Sequence, residues 1–245
     1  MVGIHSADDS ETLTSIVRQA FTAQGLGLDD AGLVDVTSQF ECLLTTPLGE
    51  LFDHVSLDGL GQSEGITTAN EMRFTLPLEG TGSATDRLID IGKIASDVEP
   101  DGPYADFFST LAAGEYRPTR LFQGFLVGSI DLVAEVGDPG RFVVLDYKSN
   151  LLKDASSYAP DELRGEMALS GYPLQGLLYS VALHRFLARR LKDYSPEQHL
   201  GGICYLYVRG PLLEGQGPDA GLATWKIPTE TVIGVSDLLA GKRDA

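Results

Sequence analysis

Two aspartates and a lysine carry the chemistry that can be read from this chain: Asp131 in Gly128-Ser129-Ile130-Asp131-Leu132, then Asp146 and Lys148 in Leu145-Asp146-Tyr147-Lys148-Ser149-Asn150. Two carboxylates that share a site repel, and a protein tolerates that arrangement most readily around a divalent cation. Mg2+ held by carboxylate oxygens, with Mn2+ as a possible substitute, can orient a phosphodiester and lower the pKa of a bound water. It also neutralises the charge that develops as the phosphate is attacked. Lys148 would place an ammonium one pleat beyond the metal, where it can polarise the attacking water or stabilise the pentacovalent phosphate. The chemistry indicated is metal-dependent phosphodiester hydrolysis. The plainer alternative stays open at this point: strand-edge acids with Lys148 as their ion-pair partner.

The elements that must position these groups follow from pattern. Phe125–Val136 and Arg141–Lys148 are rich in β-branched and aromatic residues, and Gly137-Asp138-Pro139-Gly140 between them reads as a turn, so the segment is expected to be a β-hairpin. With the turn centred between Asp138 and Pro139, Val136 pairs with Arg141 and Asp131 falls opposite Asp146, with Cβ atoms roughly 4.5–5.5 Å apart. Alternation puts Lys148 on the face of Asp146 and turns Tyr147 away.

Elsewhere, residues 10–24 are expected to form a helix capped by Ser10, and Leu33–Leu44 a second one stopped near Pro47. Residues 57–67 read as a Gly-rich loop, Asn70–Leu78 as a strand with Glu71, Arg73 and Thr75 on one face, and residues 79–105 show little pattern. Asp154–Gly171 is a polar connection with room for a short helix. Tyr172-Pro173 then opens a long helix to Leu191, on which Gln175 and Tyr179, four apart, share a face. Either they are its polar flank, or they lean over the hairpin. Gly202–Arg209 has strong β character.

At 245 residues, 43% hydrophobic and 22% charged, the chain suits one large α/β domain or two small ones. It offers no run of about 18 apolar residues, and its start is acidic where a signal peptide is basic, so the expectation is a cytoplasmic protein with no membrane span. Cys42 and Cys204 have apolar neighbours and no metal-ligand spacing, which suits reduced core thiols. A formal charge of −17 repels a phosphate backbone, so a nucleic-acid substrate needs outside help to be held. Arg185, Arg189, Arg190 and Lys192 nonetheless cluster, which predicts a basic patch near the site.

The stretches GSIDLV, RFVVLDYKSN, YPLQGLLYSVALHRFLARRL and HLGGICYLYVRG together resemble the RecB-type nuclease domain, the C-terminal domain of the beta subunit of exodeoxyribonuclease V. The resemblance is dense over residues 120–212, and NEMRFTLPL extends a weaker one back to residue 70. It implies a PD-(D/E)XK, restriction-endonuclease-like fold: a central mixed sheet flanked by helices, within a single nuclease domain spanning 1–245 whose motif core is 70–212. Residues 1–69 would be a helical N-terminal part, truncated upstream. Asp131 and Asp146 correspond to the metal-binding aspartates and Lys148 to the catalytic lysine. Gln175 and Tyr179 correspond to the helix motif that supports the site and contacts the strand, and Glu71 to an acid near the active centre. The family's metal-ligating histidine has only His5 as a counterpart here, in polar surroundings, while His54, His184 and His199 have no motif support.

The implied activity is Mg2+-dependent exonucleolytic cleavage of DNA during double-strand break processing, with RecC-like and RecD-like subunits and RecA as partners. Helicase chemistry would come from elsewhere, since the chain has no G-x-x-x-x-G-K-[ST] loop. Two alternatives remain: a nuclease-silent module that docks RecA or stabilises the complex, and an independent endonuclease.

Overall fold

A computed structural model describes residues 7–62, 67–77, 83–116, 125–138 and 140–242. The hairpin forms the middle of a five-stranded mixed sheet in the order β1 (Thr68–Pro77), β2 (Phe125–Val136), β3 (Arg141–Lys148), β4 (Leu200–Tyr207) and β5 (Leu222–Trp225). Neighbours are antiparallel except β3 and β4, which run parallel. A parallel pair needs a long crossover. Here it is supplied by helices α6 (Pro160–Ser170), α7 (Tyr172–Arg190) and α8 (Pro196–His199), the earlier helices being α1 (Ala7–Ala23), α2 (Asp30–Thr45), α3 (Leu57–Gln62), α4 (Ala84–Val98) and α5 (Ala105–Ala112). After β5, α9 (Thr229–Leu239) ends the described fold.

Each face of the sheet buries its own core. On one, Val133, Val144, Ile203 and Tyr205 meet side chains of α4 to α7 and α9, among them Ile91, Phe108, Met167, Leu177 and Val235. On the other, Leu132, Val143, Leu145 and Cys204 meet Leu48, Phe52, Leu57 and Leu60. Burial on both faces explains the near-continuous apolar runs of the central strands.

Alternation reverses at one place. Leu132, Ala134 and Val136 belong to the second core, but Ile130, of the same parity, belongs to the first. The pair between, Glu71 and Asp131, is missing from an otherwise regular β1/β2 register, and Glu71 has φ +51°, a left-handed backbone rare for a residue with a side chain. The strands therefore switch facing at the residue opposite Asp131.

Several expectations are corrected. The structure forms α3 at Leu57–Gln62 within the expected loop 57–67, of which residues 63–66 lie outside the described ones, and the patternless 79–105 contains α4. Ser83 and Asp86 close a reciprocal capping box at the start of α4, a legible signal, and those bonds hold the Asp86 carboxyl below its usual range. Replacing Ser83 with alanine is expected to lower the melting temperature by about 2–4 °C, read by thermal denaturation. Helix α1 begins at Ala7, so Ser10 lies inside its first turn and is no cap. The expected strand to Leu78 is described as far as Pro77, and that to Arg209 ends at Tyr207. Cys204 is buried, with its thiol pushed up to about 12, but Cys42 is exposed and is no core thiol. No helix among the described residues is long and apolar enough to cross a membrane.

Candidate active site

Lys148 is the last residue of β3, and its ammonium is almost enclosed. A buried charge must be paired. The Nζ contacts Asp146 Oδ1 in an ion pair, donates to Gln175 Oε1 at 3.1 Å, and lies 4.0 Å from the centre of the Tyr172 ring and 5.0 Å from that of Tyr205. Gln175 Nε2 in turn donates to Tyr179 Oη at 3.0 Å, and Tyr179 is hydrogen-bonded to Asp146. The four side chains form a closed polar ring. Gln175 and Tyr179, one turn apart on α7, therefore lean over the hairpin, as the second of the two sequence readings has it.

The register explains the convergence. Val136 pairs with Arg141, as expected from the turn, and the ladder continues to Leu132 opposite Leu145, one step short of Asp131 and Asp146. Pro139 of the turn lies outside the described residues. Regular pairing stops because Asp131 Oδ2 takes the Tyr147 N–H at 3.0 Å. That bond orients the carboxylate by the main chain of the strand that carries Asp146.

Asp146 is buried, and burial pushes its carboxyl above the ordinary range. The bond and charge of Lys148 pull it down, the neighbouring Asp131 charge pushes it up, and Tyr179 pulls it down again. Tyr179 is raised by burial and by the same two carboxylates. Burial and the Asp131 charge also push Tyr147 up to about 12.

Support continues beyond Lys148. Tyr158 Oη accepts from Leu152 N and donates to the Asn150 carbonyl, both at 3.1 Å, while Tyr172 Oη donates to Asn150 Oδ1 at 3.3 Å. Gly171, at φ +72°, ends α6 and begins α7 in one residue. A Cβ there would sit 2.3 Å from the Tyr116 hydroxyl.

Gly128 reaches the site at one remove. A Cβ on it would lie 2.5 Å from Phe74 Cζ, and the Phe74 ring is packed edge-on against Tyr179, centroids 5.8 Å apart. Gly128→Ala must push that ring toward the polar network. It is expected to destabilise the fold by about 1–3 kcal/mol in denaturant titration.

The remaining sequence candidates are placed less centrally. Glu71 and Asp131 are left unpaired between Asn70–Leu132 and Met72–Ile130, and the Glu71 carboxylate accepts from Ser129 Oγ at 3.0 Å. His5 lies outside the described residues. The expected basic patch is corrected: Arg189 is fourteen residues beyond Gln175 on α7, about 21 Å along the axis. Arg185, also distant, is tied to Ser236.

Tyr172 and Tyr205 were missed in the sequence, although a signal existed. Tyr172 lies three residues before Gln175, on the same helix face, and Tyr205 pairs with Asp146 in the β3/β4 register.

The donor set suits a hard cation. Asp146 Oδ1 is buried without a hydrogen bond of ordinary geometry, and the Asp131 charge acts on the same carboxyl. Mg2+ takes one or two protein carboxylates and keeps several waters, so two aspartates fit it. Among the described residues no group of three or more His, Cys, Asp or Glu side chains comes together as a ligand set.

No family model matches the chain. Curated relatives do. The RecBCD enzyme subunit RecB of Mycobacterium tuberculosis (strain ATCC 25618 / H37Rv) is 41% identical over 210 residues, covering 79% of this chain and 18% of that protein. The protein of the same name from Mycolicibacterium smegmatis is 37% identical over 212 residues, covering 79% and 19%. That of Escherichia coli (strain K12) is 37% identical over 139 residues, covering 55% and 11%. The matched stretch spans less than a fifth of the mycobacterial relatives.

Proposed function

We propose, from the premise that this chain is homologous to a part of the RecB subunit of RecBCD enzymes, that it is the DNA-cleaving module of such an assembly and hydrolyses phosphodiesters with Mg2+. The observation that carries the reading is the ring of Asp146, Lys148, Gln175 and Tyr179 beside Asp131, built on the β2/β3 hairpin.

Asp131 and Asp146 would hold the ion, which when bound supplies Lewis-acid polarisation of the phosphate and a more acidic water. The Tyr147 N–H keeps Asp131 aimed at the strand carrying Asp146. Lys148 offers an N–H to the attacking oxygen or to a phosphate oxygen, and its charge stabilises the added negative charge at phosphorus. Gln175 orients that ammonium through its carbonyl oxygen, and Tyr179 steadies both Gln175 and Asp146. Glu71 acts from the strand opposite Asp131 through Ser129, and His5 is the remaining candidate ligand.

The substrate would be single-stranded DNA delivered by a helicase, in company with RecC-like and RecD-like subunits. RecA is a further expected partner. Delivery reconciles the chemistry with a net charge of −17, because a motor can supply the local strand concentration that electrostatic attraction does not.

The test is cleavage of end-labelled single-stranded DNA by the purified chain, alone and extended upstream, with Mg2+, with Mn2+ and with EDTA. Metal-dependent products are expected. If neither form cleaves while both bind RecA, the nuclease-silent docking alternative replaces this reading.

A further inference from the structure

We propose that Tyr172 and Tyr205 are positioning residues that hold the Lys148 ammonium by cation–π contact, fixing where its free donor capacity points. The kinetic consequence rests on the nuclease reading above. The geometry does not.

An ammonium has three N–H groups. In Lys148 one side is occupied by Asp146 and another by Gln175 Oε1 at 3.1 Å. The Tyr172 ring centre is 4.0 Å from Nζ and the Tyr205 ring centre 5.0 Å, both inside the roughly 6 Å reach of a cation–π interaction. The two rings are stacked on one another, centroids 5.5 Å apart and planes 17° from parallel. Tyr205 Oη donates to the Tyr172 carbonyl at 2.9 Å, so β4 and the first turn of α7 are locked together where the ammonium sits. That first turn also carries Gln175, so one bond sets the ring pair and the amide relative to Lys148.

The choice of rings has a chemical consequence. A further carboxylate here would stabilise Lys148 but cancel its field at a phosphate. A phenol ring attracts the charge through its quadrupole without a countercharge, and it cannot take the proton. The charge thus stays available at the open side of the site. Tyr205 is completely buried, so this half of the cage is rigid, while Tyr172 is half-buried at the mouth.

Two measurements on the full chain decide the matter. In protein labelled at lysine Cε, with the Lys148 resonance assigned through Lys148→Arg, the Lys148 Hε protons are expected upfield of the other lysines because of the ring currents. The shift should persist in Tyr172→Phe and shrink in Tyr172→Leu. A Lys148 signal at the ordinary lysine position in the native chain overturns the proposal, whether or not the protein cleaves DNA.

The second measurement replaces Tyr172 with phenylalanine and its mono-, di- and trifluoro analogues, which keep the shape and drain the ring quadrupole. Mg2+-dependent kcat should fall stepwise, by about tenfold across the series, with KM within about twofold. A flat series in an active enzyme overturns the inference and leaves the nuclease reading intact. If neither the native chain nor its upstream-extended form cleaves, the nuclease reading fails and the lysine resonance alone decides. Should Tyr172→Leu not fold, the nearly isosteric fluorinated series and the native resonance still discriminate.

Discussion

Lys148→Ala is expected to lower Mg2+-dependent DNA cleavage by about 10³-fold while the protein keeps its fold, and Asp146→Ala and Asp131→Ala by at least as much. For Lys148, preorganisation sets the size of the effect. Its ammonium already has its contacts to Asp146, Gln175 and the Tyr172 ring before any substrate arrives, so little reorganisation is needed when charge develops at phosphorus. Asp146→Ala removes both a proposed metal oxygen and the ion-pair partner of Lys148. Asp131→Ala in addition leaves the Tyr147 N–H without its acceptor at the point where the β2/β3 ladder stops. The measurement is single-turnover cleavage of end-labelled DNA, with circular dichroism as the check on folding. Full activity in Asp131→Ala would falsify the assignment of two carboxylates to one ion.

How much of this site could be read in advance depends on how local its causes are. The hairpin could be read because Gly137 to Gly140 supply turn residues between two β-rich runs, and the Val136–Arg141 register follows from it; the ladder ends at Leu132 and Leu145, one step short of the expected pairing of Asp131 with Asp146. Gln175 and Tyr179 could be read as one helix face, though not which way the face looked. That depends on Phe74 packing against Tyr179, a contact between elements about a hundred residues apart. The left-handed Glu71 was out of reach, since nothing in Asn70-Glu71-Met72 suggests a positive φ.

Other elements were legible. Ser83 and Asp86 have capping-box spacing, with Leu88, Ile91 and Ala95 behind them at helical intervals, so α4 was written in the sequence. The distance of Arg189 and Arg190 from Gln175 along α7 is likewise countable in the sequence, and it sets the basic cluster apart from the site. The short β5 could not have been found this way, because four residues carry too little periodicity to separate strand from coil.

Replacing Asp146 and Lys148 together by leucine and methionine is expected to abolish cleavage and yet leave the protein, in the absence of divalent ions, as stable as the native chain or about 1–4 kcal/mol more stable. The pair is almost fully buried, with 5% and 10% of the two side chains accessible, so both charges are stripped of most of their water. Burial already disfavours the Asp146 carboxylate, and the Asp131 charge adds to that. Apolar groups of similar size escape both costs, and they would meet the rings of Tyr172 and Tyr205 rather than water. Lys148→Met alone behaves differently. It leaves a buried carboxylate facing Asp131 without its counter-ion, and is expected to cost about 3–5 kcal/mol. The comparison separates two reasons for the pair to exist. A pair kept for stability predicts that the double variant unfolds more readily than the native protein in urea. A pair kept for chemistry predicts an inactive protein that resists urea at least as well, since the fold then carries these charges at a cost that only the reaction explains.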